Sequence, residues 1–225
     1  MRRTIARELM DEPVADLDEL AGNLRDIAFA NARLGGTAPV VRALRRLGAR
    51  TVLDVGSGAG DVALALVRDA ERRGVQVRVT CLDVSEQMLA LARRATGAHP
   101  ALEFVRGDGE SLPFGGGAFD VVTCTLALHH FDPGGARALL GELRRVARIT
   151  PVVCDLRRGA VAFAGTWLWS RTSRNRLTRH DAPLSVRRAY TPEEALALAR
   201  DAGWREPRVR REPFFRMTLT DEPPA

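Results

Sequence analysis

Three glycines at alternate positions, Gly56, Gly58 and Gly60, follow an apolar run and precede a helix-like segment. Glycine lets a strand end and turn sharply, and its missing side chain lets a ligand lie against the backbone. Free N–H groups at the start of the helix would face that ligand. Ser57 lies inside the turn, and Asp54 adds a carboxylate at the end of the strand. The stretch therefore predicts a site for a nucleotide-like ligand.

The spacing of these glycines separates the ligand from two common nucleotide sites. A dinucleotide-binding turn has the pattern G-x-G-x-x-G, with an acid for the ribose about 20 residues further on. Here the pattern is G-x-G-x-G, and Asp83, the next acid at a strand end, lies 27 residues past Gly56. The chain contains no lysine, so the P-loop pattern G-x-x-x-x-G-K-[ST] is absent. A nicotinamide-dependent oxidoreductase is therefore disfavoured, and a P-loop enzyme is excluded.

The elements that must position these residues alternate between strand and helix. The sequence predicts strands over 51–55, 75–82, 102–106, 119–125 and 152–154, and helices over 59–73, 85–95, 133–148 and 191 to about 202. Two more strand-like runs, 208–211 and 214–219, predict a hairpin at the sheet edge. This pattern specifies an α/β fold with a doubly wound, mostly parallel sheet of seven strands. Ligands of such sheets bind at the carboxyl ends of the strands, where Asp54, Asp83 and Asp108 fall.

The domain organisation follows from length and from the segments outside this alternation. A chain of 225 residues fits one large α/β domain. Before the first strand, apolar spacing predicts helices from 20 to 34 and from Pro39 onward. We therefore expect an N-terminal helical cap over 1–50 and the α/β domain over 51–225. Between 156 and 190 the alternation lapses, which indicates an insertion.

Four stretches in register resemble the motifs of the class I S-adenosylmethionine-dependent methyltransferases. They are VLDVGSGAG at 52–60, LDVSEQML at 82–89, GDGESLPF at 107–114, and FDVV with LHHF between 119 and 131. One glycine motif alone is weak, whereas four in register are specific. The resemblance implies a Rossmann-like methyltransferase fold, S-adenosylmethionine as cofactor and S-adenosylhomocysteine as product. The motifs are most similar to the small-molecule group that includes quinone-biosynthesis methyltransferases.

The resemblance also implies roles for individual side chains. A carboxylate at a strand end can accept both ribose hydroxyl hydrogens, which suits Asp83, while Asp108 would accept from the adenine amino group. Asp54 would act on the amino-acid end of the cofactor through the loop backbone or a water. The alternative is that these carboxylates only cap helices or turns. The predicted cofactor-binding residues are Asp54, Gly56, Ser57, Gly58, Gly60, Asp83, Val84, Met88, Gly107, Asp108, Gly109 and Leu126.

Histidines are the candidates for proton removal from the methyl acceptor. Methyl transfer from a sulfonium is an in-line displacement, so the enzyme mainly positions the acceptor and excludes water. A phenol or carbon acid must also lose a proton, and histidine is the usual base. His129 follows the fourth strand and His180 lies in the insertion, so both are catalytic candidates. The alternatives are loop packing for His129 with His130, and an exposed lid position for His180. We expect no metal site, although His129, His130 and Asp132 offer ligands.

The insertion carries the main information on the acceptor. Its first half is apolar and its second half is rich in arginine: Phe163, Trp167, Leu168 and Trp169, then Arg171, Arg174, Arg176 and Arg179. The family builds its acceptor pocket here, so the resemblance implies a substrate lid at about 156–190. One interpretation is a lipophilic or aromatic acceptor, with the arginines meeting an anionic group or a membrane surface. The other is ordinary packing of a helix against the sheet.

Composition restricts the partners. The net charge is +6, but all 34 basic residues are arginine, which looks like a coding bias. Aromatic residues make up only 5% of the chain, so a base-stacking platform is poorly supplied and nucleic-acid binding is disfavoured. An RNA methyltransferase or RNA-binding module is the alternative function, suggested by the sequence pI of about 10.6.

The sequence also supports expectations about the cellular compartment, the cysteines and the reaction. No apolar run is long enough for a membrane span and no signal-type segment follows the N-terminus, which predicts a cytoplasmic protein. Cys81, Cys124 and Cys154 lie in strand-like runs, as expected of buried free thiols. The sequence leaves a monomer and a homodimer open. We expect a methyltransferase acting on oxygen or carbon of a small, lipophilic or aromatic natural product of polyketide or quinone type.

Overall fold

The computed structural model describes residues 1–11 and 16–222. Residues 12–15 of the predicted cap and 223–225 of the predicted domain lie outside this description. A sheet of seven strands has the order β3-β2-β1-β4-β5-β7-β6. The strands are β1 Thr51–Val55, β2 Arg78–Asp83, β3 Leu102–Arg106, β4 Phe119–Thr125, β5 Ala147–Leu156, β6 Pro207–Glu212 and β7 Arg216–Asp221.

The first five strands pair in parallel, and β7 is antiparallel to both β5 and β6. The predicted hairpin is therefore confirmed, with β6 at the sheet edge. Parallel strands need crossover connections, which the helices supply. The helices are α1 Leu17–Arg33, α2 Thr37–Leu47, α3 Asp61–Arg72, α4 Glu86–Ala95, α5 Pro133–Val146, α6 Ala160–Ser170, α7 Arg176–Arg188 and α8 Pro192–Asp201. This is the predicted doubly wound α/β fold.

The central strands are buried because helices cover both faces of the sheet. Successive side chains of a strand point to opposite faces. Leu53 of β1 packs in the cluster formed with α5 and α8, whereas Val52 packs in the cluster formed with α2 and α3. Both side chains are fully buried. A near-continuous apolar run is what a parallel strand covered on both faces requires.

Several helices begin at N-cap residues whose side chains accept hydrogen bonds from the first turn of the helix. Ser85 caps α4 by accepting the N–H of Met88, and Thr191 forms a capping box with Glu194 at the start of α8. Asp132 caps α5, where its carboxylate accepts the N–H of Gly135. The caps fix where each helix begins, and thereby where each loop at the carboxyl edge ends.

The prediction for the fifth strand was too short. Strand β5 runs from Ala147 to Leu156, whereas the sequence indicated only 152–154, because Thr150-Pro151 has the composition of a turn. The antiparallel pairing with β7 begins only at Val152, so Pro151 lies at the end of that ladder. The Thr150 hydroxyl donates to the carbonyl of Asp221 at 2.6 Å and fixes this end. A proline at the end of a ladder costs little, which explains the longer strand.

Candidate active site

A cavity of about 1040 Å³ lies at the carboxyl edge of the sheet. Its floor consists of the ends of β1, β2 and β4, and its other walls come from α1, α6, α7 and the turn between β6 and β7. The volume exceeds what one small ligand needs, so a cofactor and an acceptor fit side by side.

The glycine turn forms one wall of the cavity. Gly56, Gly58 and Gly60 have φ angles of +68°, +50° and +70°, in the left-handed region that favours glycine. A Cβ on Gly56 would lie 2.7 Å from the Cβ of Ala127. The N–H groups of Gly56 and Ser57 both donate to the carbonyl of Leu82, at 2.8 and 3.1 Å, and so tie the turn to the end of β2.

Asp83 ends β2 beside this turn. One carboxylate oxygen accepts the N–H of Gly58 and the other accepts the N–H of Ser85, each at 3.0 Å. Burial raises the pKa of Asp83 despite these donors. The carboxylate therefore does cap local backbone, yet each oxygen keeps a second lone pair, and the residue lines the cavity. Val84 and Met88 of the same motif line it as well.

Two further predicted positions lie beside the ends of β3 and β4. An oxygen of Asp108 accepts the N–H of Glu110 at 2.9 Å, which shapes a turn whose flanking glycines, Gly107 and Gly109, also line the cavity. Leu126 has a φ of +55°, a conformation that costs a non-glycine residue about 1–3 kcal/mol. Its N–H donates to the carbonyl of Cys154 at 2.9 Å, which holds this strained residue against the cavity.

Asp54 is the most deeply buried acid of the set. Its carboxylate accepts the hydroxyl hydrogen of Thr123 at 2.7 Å. Burial raises the pKa of Asp54 to about 7, and the nearby carboxylates of Asp61 and Asp83 add to the rise. Near neutral pH the site thus contains an acid that ionises readily when a cation approaches.

Five buried polar atoms of the described residues have no hydrogen-bond partner, and all five residues line this one cavity. They are Asn23 Oδ1, Asn31 Oδ1, Ser57 Oγ, Thr125 Oγ1 and Arg216 Nη1. Native structures leave few buried polar groups unpaired, and each one calls for a partner. Their concentration around a single cavity therefore indicates a polar ligand. Of the five, only Ser57 was predicted, since nothing in the sequence links Asn31 or Arg216 to the glycine turn.

His129 is buried at the end of the loop after β4. Its Nδ1 lies 2.7 Å from Asp155 Oδ1, and its backbone N–H donates to Asp155 Oδ2 at 3.0 Å. Burial acts to raise the pKa of Asp155, but the His129 ring and the N–H donors outweigh it and hold the pKa below its usual range. Asp155, at the end of β5, fixes the orientation of the ring.

The N-terminal arm, residues 1–11, closes over this histidine. The N–H groups of Leu9 and Met10 donate to the carboxylate of Asp181 in α7, at 2.8 and 3.1 Å. The arm thereby brings Glu8 into the cavity wall, where Ser185 donates to it at 2.9 Å. Burial raises the pKa of Glu8 to about 7. Sequence reasoning missed Glu8, because its neighbours are weakly patterned.

His180 lies elsewhere. Its side chain is 50% exposed, and its Nδ1 is 2.7 Å from Asp181 Oδ1. It is not among the residues that line the cavity. The two predicted catalytic histidines are therefore not brought together, and only His129 faces the space beside the glycine turn.

Of the apolar residues predicted in the insertion, Trp169 lines the cavity. Trp167 and Leu168 are 44% and 66% exposed, because successive residues of α6 face different directions. The facing wall is the β6–β7 turn, where Phe214 and Phe215 adopt φ angles of +54° and +59°. Two consecutive non-glycine residues in this conformation are strained, as is common beside functional sites.

The arginines predicted to meet an anionic group do not line the cavity: Arg171, Arg174, Arg176 and Arg179. The Arg176 side chain instead pairs with Glu19 of α1 at 3.0 Å. The Arg171 guanidinium lies over the Trp167 ring at 4.9 Å. Among the described residues, the arginines in the cavity wall are Arg106, at the end of β3, and Arg216, from β7.

Comparison with known proteins identifies the type of domain that contains this cavity. The family described as "Methyltransferase domain" matches residues 52–149, the span that contains the glycine turn, Asp83 and His129. Residues 52–149 are therefore a methyltransferase domain of the class I S-adenosylmethionine-dependent type. The cofactor is S-adenosylmethionine, and the cavity fits it, with a side-chain-free cradle at Gly56 and unpaired polar atoms along the wall.

Relatives of this methyltransferase include quinone-pathway enzymes. It is 40% identical over 83 residues to the demethylmenaquinone methyltransferase of Deinococcus radiodurans, covering 36% of this chain and 33% of the relative. It is 28% identical over 169 residues to the ubiquinone/menaquinone biosynthesis C-methyltransferase UbiE of Rhizobium meliloti, covering 68% and 64%. The chain thus spans from a third to just under two thirds of the length of these two curated relatives.

A solved structure supports the fold of the methyltransferase. A S-adenosylmethionine-dependent methyltransferase of Aquifex aeolicus aligns with a TM-score of 0.65 and 20% identity, covering 92% of this chain and 98% of that one. At this identity the likeness concerns the fold alone. Within the described residues, no helix has the length and apolar character that crossing a membrane requires.

Proposed function

We propose that this methyltransferase transfers a methyl group from S-adenosylmethionine to an oxygen or carbon atom of a small lipophilic or aromatic molecule of polyketide or quinone type. The observation that carries the proposal is a single cavity that contains the family motifs, a buried histidine held by a carboxylate, and an aromatic wall. The printed names of the quinone-pathway relatives agree with a ring-bearing acceptor.

In this proposal the cofactor lies along the glycine turn. Asp83 accepts from the ribose hydroxyls, with Val84 and Met88 beside it, and Asp108 accepts from the adenine amino group. Gly107 and Gly109 keep the backbone close, and Leu126 faces the methyl group. Asp54, ionised by the approach of the cofactor's positive charges, completes this half of the cavity.

Arg216 and Asn31 are proposed to hold the amino-acid end of the cofactor. Arg216 is 3% exposed, and its Nε donates to the carbonyl of Leu34 at 2.8 Å. Asn31 donates from Nδ2 to Asp61 at 3.0 Å. The unpaired Nη1 of Arg216 and Oδ1 of Asn31 converge beside Gly36, where any side chain would collide with both. A carboxylate needs the donor and an ammonium group needs the acceptor, so the pair suits an α-amino acid.

The acceptor is proposed to occupy the space between α6, the β6–β7 turn and His129. Trp169 and Phe215 offer flat apolar surfaces for a ring. Helices α6 and α7, within the predicted lid at 156–190, and the N-terminal cap over 1–50 enclose this space. Enclosure excludes water and holds the acceptor atom in line with the methyl group.

His129 is the proposed proton acceptor. With Nδ1–H donating to Asp155, the neutral ring presents the lone pair of Nε2 towards the cavity. The cofactor supplies an electrophilic methyl group. The chain's part is to orient the acceptor and to take the proton from its O–H or C–H group as the new bond forms.

Transfer of a labelled methyl group to a panel of catechols, naphthols and reduced quinones tests the proposal. We expect a methylated product with at least one ring-bearing member, and mass spectrometry would locate the methyl group on oxygen or carbon. Transfer to total RNA with none to the panel would contradict the small-molecule assignment and favour an RNA methyltransferase.

A further inference from the structure

Three side chains at the edge of the cavity converge on one small space. One carboxylate oxygen of Glu8 and one ring nitrogen each of His129 and His130 lie within 4.8 Å of one another. Glu8 comes from the N-terminal arm, and both histidines come from the loop after β4. Segments far apart in the chain therefore meet at this point.

Carboxylates fix the orientation of both rings. The Nδ1 atom of His129 lies 2.7 Å from Asp155 Oδ1, and that of His130 lies 2.7 Å from Asp11 Oδ1. A neutral imidazole that donates from Nδ1 has an acceptor at Nε2. Both Nε2 atoms therefore point lone pairs towards the Glu8 carboxylate, which also has only lone pairs when ionised. With Glu8 ionised, such a cluster of acceptors is unfavourable unless a proton or a metal ion lies among them.

The separations fit an ion better than direct hydrogen bonds. His129 Nε2 lies 3.6 Å from Glu8 Oε1, and His130 Nε2 lies 3.9 Å from Glu8 Oε2. Both exceed hydrogen-bond length. Two ligands about 2.0–2.2 Å from a shared tetrahedral zinc ion are about 3.4 Å apart. The three ligand atoms lie within 4.8 Å of one another, so small side-chain movements bring them onto one ion.

The surrounding charges favour a cation. Three carboxylates contact the cluster, those of Glu8, Asp11 and Asp155. Against them stand two guanidinium groups. That of Arg188 lies 2.6 Å from Asp11 Oδ2 and 3.9 Å from Glu8 Oε1, and that of Arg3 lies 3.2 Å from the carbonyl oxygen of His129. With Glu8 ionised, the three carboxylates outnumber the two guanidinium groups, which favours a bound cation.

We infer that Glu8, His129 and His130 form a binding site for a divalent transition-metal ion of the zinc or manganese type. Asp155 and Asp11 hold the ligand rings from behind, as carboxylates do in protein metal sites. Imidazole with carboxylate suits such ions. The open coordination positions face the cavity, where a bound ion lowers the pKa of an O–H group that coordinates it. The site stands on its own geometry. When the ion is bound, Nε2 of His129 is a ligand and cannot also take the acceptor's proton, so ion binding and the proposed base role are alternative uses of this nitrogen.

Calorimetric titration of the chelator-treated, dialysed protein with Zn²⁺, Mn²⁺ and Co²⁺ tests the inference. We expect one ion per chain, and Co²⁺ should give the visible absorption of a low-coordinate site. His130→Ala and Glu8→Gln should weaken binding by ~100-fold or more. Asp11→Asn should cost ~10–100-fold, since it removes only a partner of a ligand. His99→Ala is the matched control, because His99 is half-buried beside Glu71 and does not line the cavity, and it should not change the affinity.

Two outcomes would overturn the site. One is wild-type protein that binds none of the three ions more tightly than ~100 μM, which would mean that protons alone fill the cluster. The other is His130→Ala protein that melts as the wild type does and still binds the ion with wild-type affinity. Glu8→Gln provides an independent variant should His130→Ala fail to fold. Binding of S-adenosylhomocysteine, measured in parallel, separates failure of this site from failure of the proposed function.

Discussion

The two halves of the cavity are built in different ways. The cofactor half is formed by strand ends and the turns that directly follow them. The strand that each one ends or follows therefore places Gly56, Asp83 and Asp108 in the site. The acceptor half is assembled from segments distant in the chain, with Glu8 from the N-terminal arm, Trp169 from α6 and the turn between β6 and β7. Local geometry therefore determines the first half, and docking of separate elements determines the second.

This difference concerns chemistry as well as construction. The cofactor half presents single polar atoms that lack partners, such as Ser57 Oγ and Arg216 Nη1, and these suit a ligand of fixed structure. The acceptor half presents a paired network, in which His129 is bound to Asp155 and Glu8 to Ser185. In the proposed function, cofactor binding and proton transfer are thereby separated in space. Substitutions in the two halves should consequently affect different measurements.

The largest expected effect is on turnover. Substitution His129→Asn, or Asp155→Asn, should lower kcat about 10²–10⁴-fold with the acceptor that the panel identifies, because the ring or its orientation is lost. Affinity for S-adenosylhomocysteine should change little. Steady-state kinetics and calorimetry together check this, with His99→Asn as the control. An equal loss of cofactor affinity, or a loss of kcat in His180→Asn instead, would contradict the division between the halves.

Substitutions in the cofactor half should change the affinity for the cofactor. Arg216→Met should weaken S-adenosylhomocysteine binding by ~10–100-fold, because a charged hydrogen bond contributes about 1.5–3 kcal/mol. The same variant should bind 5′-methylthioadenosine, which lacks the amino-acid end, as the wild type does. Calorimetry with both ligands gives the answer. Equal weakening for the two ligands would place Arg216 outside the amino-acid site.

The pH dependence of stability should reveal the buried acid of the cofactor half. Burial raises the pKa of Asp54 to about 7, whereas the unfolded chain has the ordinary value of 3.8. The folded state holds this proton more tightly, so the stabilisation is complete below about pH 4 and is lost as the pH rises through about 7. Between pH 5.5 and 8.5, the unfolding free energy of the wild type should fall by ~2 kcal/mol more than that of Asp54→Asn. Urea unfolding measures both, and parallel curves would refute the assignment.

The acceptor half should respond to loss of its aromatic wall. Trp169→Ala should raise the KM of the acceptor by ~10-fold, because an apolar contact worth about 1.5–3 kcal/mol is lost, while the affinity for the cofactor stays constant. Trp167→Ala is the matched control, since Trp167 is half exposed on the same helix. If the two variants have the same KM, the acceptor does not occupy the space beside α6.

The same contrast explains what the sequence could predict. The bounds of β3 and β4 were predicted to the residue, because Pro100 and Gly107 flank the first and the glycines at 115–117 precede the second. The places of Asp83 and the glycine turn in the cavity could be predicted, because both follow the carboxyl ends of neighbouring parallel strands. Glu8 and Arg216 were not found, since only the docking of the arm and the insertion of β7 beside β5 bring them in. Histidine is a common catalytic residue, but the His180 side chain is half-exposed and does not line the cavity.

The central claim is that the glycine turn and Asp83 bind S-adenosylmethionine, and calorimetric titration tests it most directly. The wild type should bind one cofactor per chain, and Asp83→Ala should lose most of that affinity. Asp201→Ala, an exposed acid at the end of α8, is the control and should bind as the wild type does. Absence of binding by the wild type, or full binding by Asp83→Ala, would contradict the account.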